Sequence, residues 1–128
     1  MIDTLKETLE MVEGAGAENG GICLNLWHIV KLGIPYQEVA RLPQKYVISI
    51  EINDGTFTCP WSLYEDTTNH RRRCGEGEFD VKGFVRLMQQ SGYSGAWGIE
   101  VLSEELRKKP LAELTMRSFN TTMAQFSG

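Results

Sequence analysis

The sequence predicts an α/β chain in which a helix is followed by three strand–helix units, the strands parallel and curved into part of a barrel. Two observations lead there. Strand-like alternation and helix-like periodicity succeed one another along the chain, with connections too long for hairpins, the pattern of a parallel sheet with helices packed outside it. And each strand joins an aliphatic face to a face of small or polar residues, whereas a parallel strand covered by helices on both sides is apolar throughout. A barrel accounts for this: the aliphatic faces meet the helices and the others line a lumen.

Along the chain, Asp3 or Thr4 can cap a first helix, and Thr4-x-x-Glu7 fits a capping box. Ile2, Leu5, Leu9 and Val12 form its apolar stripe, and Gly14 and Gly16 end it. The first strand is expected over Gly21–Trp27, with Ile22, Leu24 and Leu26 on one face and Cys23, Asn25 and Trp27 on the other; His28 stands just past its end. Pro35 opens a short helix reaching about Leu42. The second strand starts at Tyr46. Tyr46, Ile48, Ile50 and Ile52 alternate with Val47, Ser49, Glu51 and Asn53. A long loop, Asp54 to Phe79, carries aromatics, the basic run Arg71-Arg72-Arg73 and the pair Gly75 and Gly77. Asp80 to Ser91 is a helix with Val81, Phe84, Val85 and Met88 at i, i+3, i+4, i+7, closed by Gly92. Ala96 to Leu102 is the third strand, with Trp97, Ile99 and Val101 opposite Gly98 and Glu100. Pro110 starts a last helix with Leu111, Leu114, Phe119, Met123 and Phe126 as its apolar side.

With 128 residues, 41% of them hydrophobic, one domain spanning 1–128 is expected. No apolar run approaches the roughly 20 residues of a membrane span. The acidic amphipathic N-terminus is unlike a signal peptide. Cys23, Cys59 and Cys74 lack metal-type spacing, so free thiols in a reducing cytoplasm are expected. A net charge of −4 with one basic cluster argues against nucleic acid as a partner.

Each strand carries one ligand-type side chain late on its polar face: Asn25, Glu51 and Glu100. In a barrel these converge at the C-terminal mouth, where (β/α)8 enzymes place their chemistry. Two carboxylates and an amide oxygen, with His28 near, suit a hard divalent cation such as Mg²⁺ or Mn²⁺. The same side chains also read as solvated or salt-bridged carboxylates, the arginine run supplying the partner, with a hydrogen-bonded core amide and a loop histidine. Three strands are too few to close a barrel, which usually needs roughly 250 residues. The chain therefore reads as a C-terminal portion with two open sheet edges, and open edges favour self-association into a homo-oligomer.

These residues resemble the C-terminal part of the sugar phosphate isomerase/epimerase family, the xylose-isomerase-like TIM barrels. Asn25-Leu26-Trp27-His28 is similar to that family's Asp-x-x-His at the sixth strand. Glu51-Ile52-Asn53-Asp54 resembles the seventh-strand motif, which begins with His or Gln and ends in Asp. Arg71 to Gly77 resembles Arg-x-x-Pro-Gly-x-Gly, with Cys74 at the proline. Gly92-Tyr93-Ser94-Gly95 and Gly98-Ile99-Glu100-Val101 resemble the run into the last strand and its metal-binding glutamate.

The resemblance implies a partial (β/α)8 TIM barrel and metal-dependent proton transfer through an enediolate on a sugar or sugar-like hydroxy-carbonyl compound. It implies Asn25, Glu51 and Glu100 as metal ligands, Glu100 as the acid/base, and His28 and Arg71 as substrate-binding residues, with Glu76 near Arg71. Asn25 stands where the family has aspartate, and Glu51 where it has a neutral ligand. The family's fifth-strand glutamate, the other acid/base, is expected to lie before the start of the chain. A dehydratase or lyase on the same scaffold, or an inert partial barrel acting by self-association, are the alternatives.

Overall fold

The computed structural model describes residues 4–127. In chain order the elements are α1 (Leu5–Ala15), β1 (Ile22–Asn25), α2 (Leu26–Lys31), α3 (Tyr36–Ala40), β2 (Val47–Ile52), α4 (Leu63–Asn69), α5 (Val81–Gln90), β3 (Ala96–Ile99) and α6 (Leu111–Met123), with 3₁₀ turns at Gln44–Tyr46 and Leu106–Lys108. The sheet is parallel in the order β1-β2-β3. This is the α/β partial barrel that the alternation predicts. Among the described residues, β1 and β3 each leave one edge without a neighbouring strand.

The core lies between the sheet and the helices. Leu24, Ile50 and Ile52 are buried on the sheet, and Val39, Val81, Phe84, Val85 and Met88 face them from α3 and α5. The four buried side chains of α5 are those of its predicted stripe. Each contributes about 1.5–3 kcal/mol through removal from water. Asp80 caps α5 by accepting from Gly83 N at 2.9 Å, and Gly92 ends the segment at φ 94°, a conformation that favours glycine. Thr4 caps α1 by accepting from Glu7 N, and its hydroxyl donates to the Glu7 carboxylate, so the expected pair meets through the side chains. Ile2 and Asp3 lie outside the described residues.

Four expectations need correction. The first strand ends at Asn25 rather than Trp27. There the Asn25 side chain accepts from Trp27 N at 3.1 Å and turns the chain into α2, so Leu26, Trp27 and Ile29 are buried as helix residues. The loop after β2 contains α4, capped by Ser62 through Glu65 N. The third strand ends at Ile99 rather than Leu102. On β2, Ile22 pairs with Val47 but Cys23 pairs with Ser49, so Ile48 is the extra residue of a bulge. Val47 takes the inward position, and Ile48 is 54% exposed over Gly21.

The last helix also differs. Leu111, Phe119 and Met123, expected on a buried side, are exposed, as is Met116. Of the expected five, Leu114 and Phe126 are half-buried, Phe126 standing edge-on to Trp97 at 5.2 Å just past the helix end. Ile99, at the end of β3, is exposed and faces Leu114 and Phe119 of this helix across a shallow recess. All three cysteines are free thiols. Burial pushes the Cys74 thiol up to about 11, which keeps it protonated and inert.

Candidate active site at the strand ends

Parallel pairing sets the geometry. Asn25 lies opposite Glu51, and Glu51 opposite Gly98, so Glu100, two residues on, follows β3 on the same face one step beyond Glu51. The Asn25 amide bridges the two carboxylates: Nδ2 donates to Glu51 Oε2 at 2.9 Å and to Glu100 Oε2 at 2.6 Å. Its Oδ1 accepts from Trp27 N at 3.1 Å and from Asn53 Nδ2 at 3.2 Å. The amide therefore has one sensible orientation here, since turning it over would set Oδ1 against two carboxylates and Nδ2 against two N–H donors. Asn53, fully buried, also donates to the Glu100 carbonyl at 3.2 Å.

Arg71 reaches this cluster from the loop after β2. Its Nη1 donates to Glu100 Oε2 at 2.5 Å. Thr67 on α4 holds the rest of the fork: Nε donates to Thr67 O at 3.0 Å and Nη2 to Thr67 Oγ1 at 2.6 Å. The guanidinium lies 5.4 Å from the Trp27 ring centre. The salt-bridged reading of Glu100 therefore describes its contacts, and Arg71 is its partner. The Lys31 ammonium stands 5.5 Å from the same ring, and its buried side chain pairs with Asp66 at 2.8 Å while donating to Thr56 O. That pair ties α2 to α4.

His28 sits exposed in the first turn of α2. Partial burial, then the charge of Arg71, lowers its pKa below 6.5, while Glu100 and Glu51 oppose the shift. Because folding depresses this pKa, His28 favours the fold fully above pH 6.5, and the contribution falls as pH drops below that value. NMR titration is expected to give His28 a pKa under 6.5. Arg71→Gln is expected to raise it, since one depressing charge goes and two carboxylates stay. A variant titrating at or below the wild-type value would contradict this arrangement.

Asp54 organises the loop that carries Arg71. It is fully buried, and Oδ1 accepts from Gly55 N and Phe79 N at 2.8 and 2.9 Å while Oδ2 accepts from Gly75 N at 2.9 Å. Its backbone exchanges hydrogen bonds with Arg72. Gly77 has no room for a side chain, because a Cβ there would strike Asp54 and the Gly55 carbonyl. The structure thus brings Asn25, Glu51, Glu100 and Arg71 into one cluster, and the charges of Glu51, Glu100 and Arg71 all act on His28. The sequence reading did not single out Asn53, Thr67 or Asp54 as site residues. Asp54 closes the quoted strand motif, a signal that was available; Thr67 lies on a helix that the reading missed.

The donors at the mouth are two carboxylates and an amide. Among the described residues, no three His, Cys, Asp or Glu side chains form a metal-binding group. No helix among them is long and apolar enough to cross a membrane.

A parallel sheet with helices outside and carboxylates at its C-terminal rim defines a piece of an α/β barrel. The family model described as "Xylose isomerase-like TIM barrel" matches residues 1–121, and the chain belongs to that family. It is 26% identical over 109 residues to a 3-dehydroshikimate dehydratase of Pseudomonas aeruginosa, covering 85% of this chain and 17% of that protein. It is 22% identical over 122 residues to an inosose isomerase of Halalkalibacterium halodurans, covering 95% of this chain and 42% of that protein. The chain thus spans less than half of either relative. Two solved structures share the fold. A xylose isomerase-like TIM barrel/4-hydroxyphenylpyruvate dioxygenase fusion protein matches with a TM-score of 0.86 and 18% identity, over 97% of this chain and 20% of that one. The IOLI protein, solved with a zinc atom bound, matches with a TM-score of 0.84 and 20% identity, over 98% of this chain and 44% of that one.

Proposed function

We propose that the strand-end cluster is the acid/base and ligand half of a site that moves a proton beside the carbonyl of a sugar-like hydroxy-carbonyl compound, as an isomerase or epimerase does. The observation that supports this is the convergence of Glu51 and Glu100, from neighbouring strands, on one point between them. Glu100 is one acid/base of the pair: it takes the proton next to the carbonyl, and a second acid/base group returns it at the neighbouring carbon or on the other face. Arg71 and His28 bind substrate oxygens, and Thr67 keeps the guanidinium aimed at the mouth.

The donor set suits a hard divalent cation, Mn²⁺ or Mg²⁺, with Glu51 and Glu100 as anionic ligands. The Asn25 Nδ2 donor now stands where both carboxylates point. Asn25 joins as a third ligand through Oδ1 only by turning its amide over and releasing Trp27 N and Asn53 Nδ2. Such a cation, when bound, would polarise the carbonyl and stabilise charge on its oxygen. The same proton abstraction, followed by loss of a β-hydroxyl, is a dehydration, the reaction named in one relative.

Calorimetric titration with Mn²⁺ tests this. Saturable one-to-one binding is expected, and its loss in Glu51→Gln. Absence of heat in the wild-type protein would overturn the cation assignment. A second reading, an inert partial barrel that self-associates, draws on the exposed apolar residues of α6 beside the free edge of β3. Sedimentation at several concentrations separates the two, since a monomer at all of them argues against it.

A further inference from the structure

A recess of about 280 Å³ lies between the Arg71–Arg73 run, the Leu106–Lys108 turn and the start of α6. Its wall is strongly basic, with Arg72, Arg73, Lys109 and Arg117 all lining it. Arg73 is the informative residue. Its side chain is 4% exposed, and its donors are poorly used: Nε meets Ser118 Oγ at 3.3 Å, Nη1 meets Glu76 Oε2 at 3.4 Å, and Nη2 has no hydrogen-bond partner among the described residues. A buried guanidinium with an idle donor is costly in a folded protein unless something fills it. Arg72 is exposed, and among the described residues its side chain donates only to the Glu76 carbonyl, at 3.4 Å. Lys109 has no ion pair among the described residues. Of the acidic side chains lining the recess, Glu76 is already shared between Arg73 and Arg117, and Glu105 and Glu113 make no ion pair among the described residues.

We propose that this recess binds the phosphate or carboxylate group of a small anion, with Arg72 and Arg73 as forked donors and Lys109 at the rim. Guanidinium forks match the paired oxygens of such groups. The volume admits one anionic group and a few further atoms, not a folded partner. The anion is either free or the charged end of a compound whose carbonyl lies at the mouth, since Arg71 lines the recess and also contacts Glu100. The assignment is independent of the acid/base reading, because it rests on Arg72 and Arg73 rather than on Glu51 and Glu100.

Calorimetry with inorganic phosphate at low ionic strength tests it. The wild-type protein is expected to bind one phosphate saturably. Arg72→Gln, an exposed position that leaves the fold intact, is expected to weaken binding roughly tenfold. Lys82→Gln, on the exposed face of α5, is expected to bind as wild type, which separates a built site from general charge. Glu100→Gln is expected to keep phosphate binding, so failure of the proton-transfer reading leaves this result standing. A parallel titration with glycerol 3-phosphate distinguishes the sources: equal affinity marks a free anion, and tighter binding that Glu100→Gln weakens marks the tail of a larger compound. No saturable phosphate binding in the wild type, or unchanged binding in Arg72→Gln, would overturn the proposal.

Discussion

Asp54→Ala is expected to lower the unfolding free energy by roughly 3–5 kcal/mol, read from the urea midpoint. The reason is a difference in what is left behind. The carboxylate is fully buried and accepts three backbone N–H groups. Removing it strands three donors at once, and a buried donor without an acceptor costs about 1–3 kcal/mol. Asp54→Asn keeps one acceptor oxygen and is expected to lose less. The damage reaches the site, because the same loop positions Arg71. An Asp54→Ala protein less than about 1 kcal/mol weaker than wild type would show that water replaces the carboxylate, and that Asp54 does not hold the loop.

Glu100→Gln is expected to slow proton exchange by two to four orders of magnitude, the usual contribution of a positioned acid/base group. The assay is incorporation of deuterium from D₂O beside the carbonyl of inosose and of 3-dehydroshikimate, the compounds named in the two relatives. The fold is expected to survive. Glutamine keeps an oxygen for the Asn25 amide, Thr67 still holds Arg71, and the Glu100 side chain is 37% exposed, so solvent screens the lost charge. Equal exchange in variant and wild type would remove Glu100 from the acid/base role. No exchange in wild type above the buffer rate would remove the reading for this chain.

Period and spacing carried the fold a long way. The alternation of strands and helices, and the i, i+3, i+4, i+7 stripe of α5, specify burial directly, and Val81, Phe84, Val85 and Met88 are where that stripe places them. Convergence at the mouth was legible for the same reason: a side chain late on a polar strand face has one place to go in a parallel sheet. What was not legible depends on single hydrogen bonds or on tertiary partners. The end of β1 is set by the Asn25 cap, and a strand running on to Trp27 fits the sequence pattern equally well. The side chains of α6 have apolar spacing, but spacing cannot say whether a partner lies opposite, and here Leu111, Phe119 and Met123 face outward. The orientation of the Asn25 amide, donor toward the carboxylates, follows from Asn53 and Trp27 N, and nothing in the order of the residues announces it.

The bulge on β2 has a bearing on how this strand tolerates change in length. Ile48 is a spare residue between Val47, which faces Ile22, and Ser49, which faces Cys23. Loss of Ile48 from the chain would leave every pairing beyond it, Asn25 with Glu51 included, where it now stands, whereas loss of Ser49 or Ile50 would swing Glu51 to the opposite side of the sheet. Shortening can therefore be absorbed at the base of the strand, one step away from the chemistry at its tip.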